Sequence, residues 1–105
     1  MDLNMYYKNG IFRKTRCQIP DELIPTLYQI HDNAKFPQLT WLIDTLYENP
    51  QIQPDIAKAL AEEMIAFEQL ILSLRLPFPR VPLQKMQTFF MEAATHQQMI
   101  YAKSG

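Results

Sequence analysis

A cysteine nucleophile needs a neighbouring base or cation to become a thiolate. This chain offers one thiol, Cys17, and two imidazoles, His31 and His96. Arg16 is adjacent to Cys17, but neighbours along a strand point to opposite faces. Nothing in the spacing brings Cys17 to either histidine, so the residues read as a small buried thiol and two surface or helix-end imidazoles. Metal chemistry is equally unsupported: there is no CxxC, no HxxxH and no EF-hand loop. Glu62, Glu63 and Glu68 fall within one helical stretch, but their azimuths diverge too widely to converge on an ion. The expectation is no enzyme, no catalytic residue, no metal and no cofactor.

Glu63 is the carboxylate that asks for an explanation. At ~100° per residue it lies between Leu70 and Ile56, on the apolar arc of its helix. A buried carboxylate must be paired or protonated. The partners weighed are Arg13, Arg80 or a tyrosine hydroxyl. Trp41 poses the opposite question, because it falls off the apolar stripe of its helix, on the side of Thr45 and Glu48. It is either packed under a loop or exposed as a contact residue.

Charge is segregated along the chain. The net charge is −1, yet residues 1–17 carry +3, residues 18–72 carry −7 and residues 73–105 carry +3. The overall balance argues against non-specific binding to a phosphate backbone. The acidic middle, with Trp41, Asp44, Glu48, Asp55 and Glu62 as its candidate contacts, suits a basic protein partner. The basic start interleaves Lys8, Arg13, Lys14 and Arg16 with Tyr6, Tyr7 and Phe12. Cations around aromatics are a second candidate surface, for nucleic acid or a partner protein.

These residues need elements to hold them. The length, 105 residues, suits one domain spanning residues 1–105 that needs no disulfide or metal staple. Only two glycines are present, so no glycine-rich phosphate loop can be built. Leu3–Lys8 and Ile11–Arg16 read as strands around Asn9-Gly10, a pair suited to a two-residue type I′ turn. That turn pairs Lys8 with Ile11, Tyr7 with Phe12 and Met5 with Lys14, and puts Cys17 on the face of Tyr6. A first helix lies between Asp21 and Asn33, its regular part opened by Pro25. A second runs from Pro37 to about Glu48 on the stripe Leu39, Leu42, Ile43, Leu46, Tyr47. The third and longest runs from Pro54 to about Leu74. Arg75–Pro82 reads as an extended connector containing a PxxP, and a fourth helix runs from Pro82 to about Thr95. Met99–Ala102 is a short β-prone run whose simplest use is a third strand beside the hairpin.

The fold class is therefore α+β and mostly helical: four helices on a small antiparallel sheet made of the hairpin and a C-terminal strand. The lone cysteine, with no secretory signal and no membrane span in the sequence, leads to the expectation of a cytoplasmic, bacterial protein that is a monomer or weak homodimer. The leading functional expectation is a protein-binding module. Its most concrete form is an immunity protein, a toxin inhibitor that neutralises a basic toxin, such as a nuclease, through the acidic helical face. The alternative is a regulatory adaptor or antitoxin-like protein that uses the basic aromatic hairpin. An enzyme with a hidden pocket around Glu63, Cys17 or a histidine is the third.

Overall fold

The structure, a computed structural model, describes residues 3–11, 13–29 and 34–104. Phe12 and His31 lie outside the described residues. The chain runs β1 (Leu3–Lys8), β2 (Lys14–Ile19), a 3-10 turn (Asp21–Leu23), α1 (Ile24–Gln29) and α2 (Pro37–Thr45), which ends in a 3-10 turn (Leu46–Glu48). β3 (Gln51–Ile52), α3 (Pro54–Leu74), α4 (Arg80–Thr95) and β4 (Ile100–Ser104) follow. The α+β class holds: four helices pack with an antiparallel sheet of order β2-β1-β4-β3. β4 pairs with β1, so both ends of the chain meet in the sheet. The sheet also has a fourth strand, β3, against β4.

The hairpin differs from its expected form. Lys8 faces Lys14 and Met5 faces Cys17, a register three residues away from the one a two-residue turn imposes. The connection is the loop 9–13, closed by the Asn9 N–H donating to the Arg13 carbonyl at 3.1 Å. Neither Asn9 nor Gly10 has a positive φ, so no type I′ turn forms. The physical reason lies in β2. An odd shift of register exchanges the faces of a strand. The tight turn would put Lys14 beside Met5 on the face the helices cover, where a cation is costly. The observed register instead turns Cys17 and Ile19 inward and leaves Lys14 and Arg16 outside. Cys17 therefore lies on the core face, not with Tyr6.

The helices follow their sequence signals closely. A 3-10 turn precedes α1, and Pro25 sits in its first turn, where a missing N–H removes no helical bond. α3 spans Pro54–Leu74 and buries Leu60, Met64, Phe67 and Ile71. It ends on Arg75 at φ 58°, with the Leu76 N–H on the Ile71 carbonyl and the Arg75 N–H on the Leu72 carbonyl. α4 ends the same way on Gln97 at φ 52°, with Gln98 bonded to Ala93 and Gln97 to Ala94. Both are Schellman ends without the usual glycine.

The extended connector is shorter than expected. α4 begins at Arg80, so Val81 and Pro82 are already helical and the PxxP is not an extended ligand. Pro82 is tolerated there because first-turn N–H groups have no helical partner. One hydrophobic core fills the space between sheet and helices, including Leu3, Met5, Tyr7, Ile100 and Ala102 from the strands. Phe36 meets Phe67 edge-on at 5.8 Å, and Tyr7 meets Phe89 at 5.3 Å. No helix among the described residues is long and apolar enough to cross a membrane.

Candidate sheet-face binding site

The sheet has one covered face and one open face. Leu3, Met5 and Tyr7 alternate inward and are buried, while Asn4 and Lys8 are exposed. Register extends this across the strands. One cross-strand row of the open face is Arg16–Tyr6–Tyr101–Gln51, one residue from each of the four strands. A second is Gln18–Asn4–Lys103, and a third pairs Lys14 with Lys8. The open face thus carries Lys8, Lys14, Arg16 and Lys103 and no acidic residue among the described strands.

Two tyrosines lie at its centre. Tyr6 and Tyr101 stack with ring centroids 5.3 Å apart and planes 26° from parallel. They stand on β1 and β4, the two inner strands. Lys8 and Lys14 are directly opposed, an arrangement that costs stability between like charges. Lys14 turns its Nζ over the Tyr6 ring instead, 4.7 Å from the centroid. That contact holds the ammonium beside the aromatic pair. No carboxylate among the described residues forms an ion pair with Lys8, Lys14, Arg16 or Lys103.

The four basic residues singled out from the sequence are brought together. Lys8, Arg13, Lys14 and Arg16 line one open depression of about 550 Å3 at the hairpin end, with Asn9 and Ile11. Asn9 Nδ2 donates to Thr15 Oγ1 at 2.7 Å and braces that loop. Sequence reasoning missed Tyr101, Lys103 and Gln51. The alternation in Ile100-Tyr101-Ala102 hinted at Tyr101 facing outward, but its position beside Tyr6 depends on the β1–β4 register.

The acidic candidates are arranged differently. Trp41, Asp44 and Glu48 follow one outer line of α2 and its terminal turn, and Trp41 is 36% exposed. Asp55 and Glu62, seven residues apart, lie on an exposed line of α3. They are thus divided between two helices. Two further acids are used inside the fold. Glu63 is half-buried, but its partner is none of those considered. Its carboxylate accepts from the backbone N–H of Gln38 at 3.0 and 3.1 Å and from that of Leu39 at 3.0 Å. Phe36 provides no side-chain cap for α2, so Glu63 caps it from α3. Glu68 is buried, accepts from Gln87 Nε2 at 2.7 Å and Gln84 Nε2 at 3.3 Å, and meets Arg80 Nε at 3.5 Å. Arg80 therefore serves Glu68, not Glu63.

Of the nucleophile–base candidates the described residues include Cys17 and His96, and the Cys17 thiol donates to the Gln18 carbonyl at 3.9 Å rather than to an imidazole. Cys17 is half-buried, and burial pushes its thiol up to about 11 against the opposing pull of Lys85. A thiol held protonated is a poor nucleophile. His96 is exposed at the end of α4, with its ring 6.4 Å from that of Tyr7. Among the described residues no three His, Cys, Asp or Glu side chains group to hold a metal ion. No protein-family model matches this chain, and no curated protein or solved structure matches it either.

Proposed function

We propose that this chain is a non-enzymatic binding module that holds single-stranded nucleic acid on the open face of its sheet. The observation that carries the reading is the row Arg16–Tyr6–Tyr101–Gln51, with its stacked tyrosines, flanked by Lys8, Lys14 and Lys103. Unpaired bases stack on aromatic side chains for about 1–3 kcal/mol each, and lysine and arginine follow the phosphates. An antiparallel sheet with aromatics on its inner strands is an established way to present bases with such a platform. The net charge of −1 does not oppose this, because the acids belong mainly to the helices and the open sheet face has a local excess of cations. The depression formed by Lys8, Arg13, Lys14 and Arg16 extends the basic track beyond the tyrosines.

The test is fluorescence anisotropy with a labelled oligothymidylate of about twelve nucleotides, within the usual span of one such surface. Binding should fall about tenfold for Tyr6→Ala and for Tyr101→Ala, corresponding to about 1.4 kcal/mol each. It should also weaken steeply with salt. No binding at low salt, or binding by both alanine variants as tight as that of the wild type, refutes the proposal.

A second reading is favoured by Trp41, which stands 36% exposed on the same helical line as Asp44 and Glu48. In it the chain is an immunity-type inhibitor that occludes a basic toxin, such as a nuclease, through α2 and α3. An exposed tryptophan among carboxylates is a suitable anchor for a basic protein. This reading predicts that Trp41→Ala and Glu48→Lys abolish protection against the toxin, while Tyr6→Ala and Tyr101→Ala leave it intact.

A further inference from the structure

A groove of about 630 Å3 runs between β2 and α4. Its strand wall is the continuous run Thr15–Gln18, and its helix wall includes Val81, Lys85, Thr88 and Glu92. Consecutive strand residues point to opposite faces. Four in a row lining one groove means that the groove follows the edge of the strand rather than either face. β2 is also an outer strand of the sheet, with β1 on one side and no strand on the other among the described residues. An outer strand presents a row of main-chain N–H and C=O groups free to pair with another extended chain. The helix wall follows one line of α4, since Val81, Lys85, Thr88 and Glu92 recur at helical spacing.

We propose that this groove receives an extended, acidic segment of another protein, which adds to β2 as a further strand. Main-chain hydrogen bonds to Thr15–Gln18 supply affinity and the groove reads alternate side chains. The chemistry of the walls selects the segment. Arg16 stands on the strand side and Lys85 on the helix side. Glu92, the acid of the lining, is engaged by the Tyr7 hydroxyl at 3.4 Å. The lining also includes Cys17, Pro82 and Phe89, and Val81 is 62% exposed. The matching segment alternates carboxylates with medium-sized apolar side chains. Protection of an edge against aggregation accounts for cations on the strand itself. It does not account for Lys85 on the opposite wall or for the exposed Val81. A second copy is a poorer occupant, because two-fold pairing of β2 about its centre gathers Lys14 and Arg16 of both copies along one ladder. This site is separate from the open sheet face. It would let the protein hold a partner protein while that face holds nucleic acid, the two sharing Arg16 and Gln18.

The probes are two fluorescein-labelled octapeptides, one alternating glutamate with valine and the other lysine with valine. A third is the glutamate peptide N-methylated at alternate residues to remove main-chain donors. The glutamate–valine peptide should raise anisotropy, shift the Thr15–Gln18 amides and slow their hydrogen exchange. Lys85→Glu should weaken it about tenfold and Lys85→Gln by less, while Tyr6→Ala leaves it unchanged. The lysine–valine and N-methylated peptides should not bind. Failure of the glutamate–valine peptide to bind overturns the proposal. So does equal binding of the lysine peptide, shifts confined to Tyr6 and Tyr101, or self-association through β2 that the glutamate peptide does not compete.

Discussion

Removing the Glu63 carboxylate is the sharpest perturbation of this fold. Glu63 belongs to α3, yet it satisfies the N–H groups of Gln38 and Leu39 in the first turn of α2. The residue at the helix start, Phe36, has no side chain that could replace it. Loss of an ordinary helix cap costs about 1 kcal/mol. Hydrogen bonds to a charged group contribute about 1.5–3 kcal/mol. Glu63→Ala removes a charged cap shared by two part-buried donors, so about 2–3 kcal/mol should be lost. For a domain of this size that lowers Tm by about 10 °C. Glu63→Gln retains one acceptor oxygen but not the charge facing the helix N-terminus, and should lose about half as much. Urea unfolding followed by circular dichroism measures both. A Glu63→Ala variant within about 0.5 kcal/mol of wild type would refute the assigned cap. So would Glu63→Gln falling as far as alanine.

Three other outcomes follow from the same structure. Gln97→Gly, at φ 52° at the end of α4, should raise stability by about 0.5–1 kcal/mol in the same urea experiment, because glycine adopts that conformation freely. Glu68→Ala should cost about 2 kcal/mol by removing the buried carboxylate that the half-buried Gln87 amide and Gln84 donate to, whereas Arg80→Ala, at the exposed end of the contact, should cost under about 1 kcal/mol. Cys17 should react slowly with iodoacetamide at pH 8 in the folded protein and at the free-thiol rate in denaturant. Its folded pKa, about 11, stands above the ordinary thiol value of 9.0, so its contribution to stability is complete below pH 9 and declines as pH rises towards 11. A Cys17 that reacts equally fast folded and unfolded would contradict its burial.

The helices were legible because their signals are local. Pro37 and Pro54 mark starts, and the apolar arc from Ile56 to Leu74 defines α3. The β-prone end could be matched to the hairpin because two strands need a third. What escaped was set by distant partners. Asn9-Gly10 suggested a tight turn, but the burial of Cys17 and Ile19 decided the register from the other end of β2. β3 is two residues long and exists through its pairing with Ile100 and Tyr101. The azimuth of Glu63 put it on the apolar arc of α3, yet its partner is a helix start some 24 residues away in the chain. The basic half of the sheet site was visible in Lys8, Arg13, Lys14 and Arg16. Its aromatic half needed Tyr101, carried to Tyr6 by the pairing of the two chain ends.

The central claim is that the open sheet face is the binding surface for single-stranded nucleic acid. The most direct measurement is amide chemical-shift mapping with a short oligothymidylate at low salt. The account predicts shifts concentrated at Tyr6, Arg16 and Tyr101 and their cross-strand neighbours, lost in the Tyr6→Ala, Tyr101→Ala double variant. Shifts centred on Trp41, Asp44 and Glu48, or no shifts at saturating oligonucleotide, would contradict it.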